Sequence, residues 1–364
     1  MVSRFTDEQG WGAIAGYLPN DLESWVAGAG VIKRKRKIRD GETLVRLAMV
    51  HAGGLSLRET AAWAAERGIA ELSDVALLKR LRRLPEILSR CVQALLPAPG
   101  GMALCLVDAT TVSRQISKGT DFRVHLAWDA EGLQVARVRL TDGSVRESLQ
   151  TLPCRDGEVL VADRMYATRA GLAGAASCGA RVIVRLALTS VPLSRPSGLR
   201  VNLLELCSSL RVGQFIDIDV QTVPDPKKGI VSAPGRLIVV RKEPEAAERE
   251  RNKARRESVK KGRQQRPETG EAAEYTFLFT TLNRELADAA AVLVAYRHRW
   301  QIEMYFKRAK GIVGLGETLA RDRELCYTVI LAKLLALLLI EKIRGAFSPW
   351  GYGIPRTRQP VADL

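Results

Sequence analysis

The feature that most constrains the fold is a break at residues 97–101, Pro97-Ala98-Pro99-Gly100-Gly101. Proline cannot continue a helix and glycine weakens either regular pattern, so this run reads as a boundary. Before it, apolar residues recur at helical spacing. After it they come in short runs separated by turn residues, the pattern of strands. A chain that changes period in this way is neither one helical bundle nor one β-sandwich. The expectation is an all-helical region, residues 1–98, followed by an α/β region built on a mixed sheet.

Composition supports a folded chain with an anionic partner. Of the 364 residues, 46% are hydrophobic and 26% charged, ordinary values that exclude wholesale disorder. The 56 Lys and Arg against 40 Asp and Glu leave a net charge of +16, which suits nucleic acid or an anionic membrane. The longest apolar run, 329–340, contains Lys333 and falls short of the ~20 residues that span a bilayer, so it reads as a buried helix. The first residues, MVSRFTDEQGWG, lack the apolar stretch of a signal peptide. None of the six cysteines forms a C-x-x-C pair, and most lie in apolar surroundings, which predicts reduced thiols and a cytoplasmic protein. With three histidines and no paired cysteines, a structural zinc site has few ligands to draw on.

The helical region contains the grammar of a helix-turn-helix. Ser56-Leu57-Arg58-Glu59 is a capping box opening an Ala-rich run that Gly68 ends. Ser73 caps a second helix over 74–84, which carries Lys79, Arg80, Arg82 and Arg83, side chains suited to a DNA groove. A helical domain with a solvated basic face is the plainer alternative. The run Lys33-Arg34-Lys35-Arg36-Lys37 is a candidate phosphate contact.

Beyond the break, strands are expected at 102–107, 122–128, 133–140, 159–162 and 181–188, with helices at 144–152 and 167–177. Residues 189–273 interrupt this order and read as a β-rich insertion, with strands at 214–223 and 236–240. It includes residues 241–266, which hold 11 basic and 5 acidic residues and can only be a solvated helix or a disordered arm. The strand 275–281 resumes the sheet, and helices fill the rest. The expected divisions are therefore 1–98, a core of 99–188 and 274–345, the insertion 189–273, and a tail 346–364.

Two aspartates stand out. Asp108 ends the run ALCLVD and Asp163 the run VLVAD. Carboxylates at the ends of neighbouring buried strands face each other at the sheet rim, where a cation relieves their repulsion. Strand-end aspartates also serve simply as turn formers. A helix around residue 300 adds to the pattern. At ~100° per residue, Tyr296, Arg299, Glu303 and Lys310 share an arc of ~60°, with Trp300 and Lys307 beside it. Val294, Ile302, Tyr305 and Ala309 fall opposite, as the buried stripe. Most charged faces are merely solvated, but one acid among several bases suits phosphates and a metal.

The spacing Y-x2-R-x3-E-x6-K, met by Tyr296, Arg299, Glu303 and Lys310, resembles the signature of bacterial insertion-sequence transposases of the DDE class, in the group named insertion sequence four. Val-Asp-Ala-Thr-Thr at Asp108 and Ala-Asp-Arg-Met-Tyr at Asp163 look like that family's first and second acids. The β-rich insertion before the glutamate is similar too. The likeness covers about 100–345. Met165 stands where the group often has Gly, and few residues follow Lys310.

The resemblance implies a ribonuclease-H-like mixed-sheet core. It implies a DNA strand cleavage and transfer enzyme using two Mg²⁺ ions, for which Mn²⁺ can substitute, held by Asp108, Asp163 and Glu303. It also implies that Tyr296, Arg299, Lys307 and Lys310 contact DNA phosphates and that Trp300 offers a stacking surface, unless it is a core anchor. Its partners would be the transposon's terminal inverted repeats and target DNA, bound by a homodimer at the nucleoid, with no membrane. Its route would pass through a hairpin. Two alternatives stand: a non-catalytic DNA-binding protein, either a regulator or a decayed transposase, and a metal-dependent nuclease without strand transfer. Pure binding has no use for three carboxylates.

Overall fold

The computed structural model describes residues 8–32, 37–98, 104–115, 117, 119–260, 262, 264 and 266–347. Four members of the basic run, 33–36, and the tail from 348 lie outside these residues.

Six helices precede the sheet: α1 (Glu8–Ala15), α2 (Leu22–Gly28), α3 (Gly41–Ala52), α4 (Leu57–Glu66), α5 (Asp74–Leu81) and α6 (Pro85–Leu95). The expected capping box opens α4. The Glu59 N–H donates to Ser56 Oγ at 3.2 Å and the Ser56 N–H to Glu59 Oε2 at 2.8 Å. Ser73 caps α5 by accepting from the Ala76 N–H. That helix stops at Leu81 rather than 84, and a short turn, in which Arg82 and Leu84 keep right-handed helical dihedrals, leads to Pro85 at the start of α6.

The strands follow as β1 (Leu104–Arg114), β2 (Phe122–Asp129), β3 (Gln134–Asp142) and β4 (Val159–Ala162), then α7 (Arg169–Ser177) and β5 (Arg181–Arg185). Next come β6 (Leu193–Ser194), α8 (Leu203–Cys207), β7 (Phe215–Thr222), β8 (Pro234–Arg241), α9 (Pro244–Lys260), α10 (Pro267–Ala272) and β9 (Tyr275–Thr280). The chain continues through α11 (Ala289–Arg297), α12 (Trp300–Val313), β10 (Glu317–Thr318) and α13 (Arg323–Phe347).

One ten-stranded sheet runs β3-β2-β1-β4-β5-β9-β8-β7-β6, with β10 parallel to β1. The strands β1, β4 and β5 are parallel neighbours, while β2 and β3 form the antiparallel meander expected. The strands of the expected insertion do not form a separate sheet. They extend the same one, with β8 pairing antiparallel to β9.

Expected helix 144–152 is absent. The segment runs irregularly along the sheet, where Arg123 donates to the Gly143 and Val145 carbonyls and Arg139 to that of Thr151. Gly143 is required there, since a Cβ would meet the Thr120 oxygen at 2.2 Å. The cysteines also depart from expectation. Cys154 and Cys178 are joined as a disulfide, while Cys91, Cys105, Cys207 and Cys326 are free and buried.

Strand alternation divides the core in two. Leu106, Val161, Ile183 and Leu278 point into a cluster shared with α3, α6, α12 and α13. Cys105, Val107, Leu160, Val182 and Phe277 point to the other face, covered by α7 and α8. Helix α13 holds the run 329–340 and packs against α3 and α6, so the N-terminal helices share the first cluster. No helix among the described residues is long and apolar enough to cross a membrane.

A buried ion pair ties the extension to the helices beyond it. Arg236 on β8, 3% exposed, is bonded by two guanidinium nitrogens to Asp217 of β7. Its third nitrogen donates to the Leu282 and Ala287 carbonyls, which fixes the loop leading into α11.

Candidate active site

The parallel ladder of β1 and β4 pairs Leu104–Val107 with Val159–Ala162. Asp108 and Asp163 are the residues that follow, so their backbones come together at about strand spacing, roughly 5 Å, and the Asp163 charge acts on Asp108. Asp108 does not end its strand as expected. β1 continues to Arg114, because its other neighbour, β2, pairs with it as far as Val112. By alternation Asp108 lies on the face of Leu106 and Val112, against which α12 packs. The same alternation carried one residue past β4 places Asp163 there too.

Each aspartate is held by local backbone. Asp108 Oδ1 accepts the Ala109 N–H at 2.8 Å, and Asp163 Oδ1 accepts the Met165 N–H at 2.7 Å. Burial pushes the Asp108 carboxyl up to about 7; the Ala109 N–H opposes this, the Asp163 charge adds to it, and Arg299 opposes it.

Tyr296 and Arg299 are expected on one continuous helix with Glu303. Instead the helix is pinched between α11 and α12. The N–H groups of Arg299 and Gln301 bond to the Tyr296 and His298 carbonyls, three residues back, while His298 and Arg299 keep right-handed helical dihedrals. The pinch alters the expected buried stripe. Ile302, Tyr305 and Ala309 are buried, but Val294 is 48% exposed.

Arg299 lies at the centre of the charges. Its Nη1 bonds to Glu303 Oε1 at 2.6 Å, its guanidinium lies 5.8 Å from the Tyr296 ring centre, and its charge is felt at Asp108. Trp300 is 53% exposed, which excludes a core-anchor role. Lys307 and Lys310 are exposed on the same helix. Glu303 is paired with Arg299 rather than gathered with the aspartates. Among the described residues no three acids, histidines or cysteines are close enough to hold a metal ion.

Sequence reasoning missed two residues here. Glu147, in the irregular segment after β3, pairs with Arg123 at 3.5 Å, and its charge reaches Asp108 and Tyr166. It carries no motif signal. Tyr166 is 1% exposed, its hydroxyl has no hydrogen-bond partner, and Asp108, Glu147 and Asp163 all act on it. Its signal was in view, since it closes the Ala-Asp-Arg-Met-Tyr motif.

The basic residues of α5 and of the turn after it are less uniform than expected. Lys79 is exposed, whereas Arg80 donates to the Ala76 carbonyl of its own helix. Arg82 pairs with Asp322 at 3.0 Å, and Arg83 reaches the Gly30 carbonyl at 3.4 Å.

The family described as "Transposase DDE domain" matches residues 99–339, a span that contains both aspartates and the Tyr296–Lys310 helices. The chain belongs to the DDE transposases. It is similar to a protein described as transposase InsL of insertion sequence element IS186A from Escherichia coli K12, at 34% identity over 345 residues, covering 92% of this chain and 93% of that protein. It is equally similar, 34% over 346 residues with the same coverage, to the transposase of insertion sequence element IS421 from Escherichia coli. Among solved structures, a piggyBac transposase synaptic complex with hairpin DNA aligns with 10% identity and a TM-score of 0.45, over 94% of this chain and 74% of that one. As a DDE transposase, the chain is an enzyme that cuts and transfers DNA.

The donors available at this rim are oxygens, the carboxylates of Asp108 and Asp163 and the unpartnered Tyr166 hydroxyl, which is the ligand chemistry of a hard cation.

Proposed function

We propose that this transposase cuts the ends of its element and joins them to target DNA at a centre formed by Asp108, Asp163 and Glu303. The carrying observation is the registered aspartate pair on the face where α12 packs, with Arg299 coupled to both Asp108 and Glu303. Two Mg²⁺ ions, or Mn²⁺, would activate the attacking oxygen and stabilise the leaving one. Asp108 and Asp163 hold their oxygens in fixed orientation through the Ala109 and Met165 N–H groups. Glu303 is the third ligand, with Arg299 as its counter-ion in the metal-free protein.

Tyr296, Arg299, Lys307 and Lys310 hold phosphates around the reacting bond, and Trp300 stacks on an unpaired base. The route would pass through a hairpin, the new 3′-hydroxyl attacking a phosphodiester of the opposite strand and expelling the 3′-oxygen of the flanking DNA, and these contacts would hold the tight bend that this step needs. Lys79, Arg80, Arg82 and Arg83 belong to a helix pair that recognises the terminal inverted repeats, in the manner of a helix-turn-helix. The helical region, the sheet core and the 189–273 segment then divide the work of recognition, chemistry and DNA grip. A homodimer at the bacterial nucleoid, pairing two ends, is the acting unit.

The test is to incubate the protein with Mg²⁺ and duplexes carrying the native flanking ends, and to resolve products on a denaturing gel. Nicked, hairpin and joined species are expected. Nicking that never proceeds to joining would leave a nuclease. No cleavage beside intact binding would leave a DNA-binding protein.

A further inference from the structure

Helix α9 has few apolar residues, yet it is neither loose nor randomly charged. Its inner side is anchored next to the aspartates. Glu257 pairs with Arg164, which follows Asp163, at 3.8 Å, and Glu250 pairs with Arg185, the last residue of β5, at 3.6 Å. These acids are seven residues apart, two turns, so they share a face. Ala247, 3% exposed, falls on that side as well. At one end, Arg251 pairs with Glu274 at 3.2 Å, and the Lys242 Nζ donates to the Ala273 carbonyl.

A flank about 80° round the helix from these acids carries a second regularity. Arg249, Lys253, Arg256 and Lys260 are spaced four, three and four residues apart, so they form one exposed stripe about 16 Å long. One strand of B-form DNA presents a phosphate every ~3.4 Å along its axis, so the stripe spans about five phosphates. A membrane-lying helix would need an apolar flank, and the large apolar residue exposed on this helix is Val259. The inner acids consume the arginines nearest the catalytic rim and hold the outer bases out towards solvent.

We propose that α9 is a backbone rail: Arg249, Lys253, Arg256 and Lys260 track the phosphates of one strand of the duplex leading into the aspartate pair, and Glu250 and Glu257 fix the rail to the rim. The proposal rests on the reading of DNA as the substrate of this site. Rails of this kind position DNA without reading its sequence.

The test uses the full chain with Arg249→Ala, Lys253→Ala, Arg256→Ala and Lys260→Ala combined. Affinity for an element-end duplex and for an unrelated duplex is measured across a salt series. Four lost phosphate contacts at ~0.9 each flatten the slope of log K against log salt by about 3.6, equally for both duplexes. Position is read separately. Glu245→Cys and Val259→Cys, each tethered to an iron chelate that releases hydroxyl radicals, should cut one strand at sites about six nucleotides apart, from ~21 Å of helix and ~3.4 Å per phosphate. The native free cysteines are buried and stay unlabelled. The pair Glu250→Gln with Glu257→Gln should keep the wild-type slope but blur these cuts. A steep wild-type slope with an unchanged quadruple variant, or coincident cuts from the two tethers, overturns the rail alone. A wild-type protein with no salt-dependent DNA binding overturns the rail together with the DNA reading.

Discussion

Trp300 offers a sharp test of how this centre engages DNA. The indole opens α12 directly after Arg299 and is 53% exposed, while Ile302, two residues on, is fully buried. Trp300→Ala therefore removes little packing, and its stability change should stay within ~0.5 kcal/mol, as for surface substitutions generally. Stacking of a base on an aromatic side chain is worth ~1–3 kcal/mol, so affinity for nicked or frayed ends should fall about 5- to 150-fold. The assay places 2-aminopurine at successive positions near the cleavage point and follows its fluorescence on binding. Wild type should change the signal at one position, and Trp300→Ala should not. Ile302→Ala is the packing control and should cost ~2–5 kcal/mol by thermal melt. If Trp300→Ala lowers the melting midpoint as much as Ile302→Ala does, the indole is structural. If it leaves both midpoint and fluorescence unchanged, the stacking role is wrong.

Four further outcomes are expected. Asp108→Ala, Asp163→Ala and Glu303→Ala should each abolish cleavage on a denaturing gel while filter binding to DNA persists, since phosphate affinity comes from Lys and Arg; a variant that still cuts near the wild-type rate removes that residue from the centre. Arg299→Ala should slow hairpin formation or joining more than first nicking, by about 10–150-fold if one charge-assisted contact worth ~1.5–3 kcal/mol is lost; equal slowing of both steps would make Arg299 a general binding contact. Burial, then Arg123 and Arg139, holds His125 down at about 4 from 6.5, so the unfolded chain takes the proton first. Stability should therefore fall as pH drops from 6.5 to 4, by up to about 3 kcal/mol, and His125→Gln should flatten that part of a melting-versus-pH curve. Arg236→Ala leaves the Leu282 and Ala287 carbonyls unpaired in the interior and Asp217 with Arg284 as its ion-pair partner, and should cost about 2–5 kcal/mol in a denaturant titration.

Much of this arrangement was legible because it rests on local rules. The box Ser56–Glu59 and the apolar runs that became β2, β4 and β9 follow from spacing alone. What was missed depends on long-range pairing. The extent of β1 past Asp108 is set by β2, not by its own sequence. Residues 144–152 read as helical, but Arg123 and Arg139, on strands of the sheet, bind the Val145 and Thr151 carbonyls and hold the segment against it. Glu147 has no motif and reaches the site only through the path of that segment. Val294 sits on the wrong side of an ideal helix because the pinch at His298 and Arg299 shifts the phase between α11 and α12. The basic residues of α5 looked equivalent, yet Asp322, far along the chain, pairs with Arg82. The Cys154–Cys178 bond joins residues on either side of β4 and α7, which no spacing rule brings together.

The pinch also has a chemical consequence. A tightened turn stacks residues three apart, which brings Tyr296 beneath Arg299. It also makes Arg299 the residue that precedes the first turn of α12, with Glu303 inside that turn. A helix N-terminus favours anions and disfavours cations, so Glu303 suits its position and Arg299 does not. Arg299 is kept there by negative charge around it: Glu303 at 2.6 Å and the more distant Asp108. If cations were held by Asp108 and Glu303, as proposed, the Arg299 guanidinium would lose these partners and could turn to a phosphate. On that proposal one residue would serve both acids and DNA: Arg299 offsets Glu303 here and would contact the DNA backbone in the complex. Lysine at this position would keep the charge but lose the planar fork that can bridge two phosphate oxygens, so Arg299→Lys should behave closer to Arg299→Ala than to wild type in the joining step.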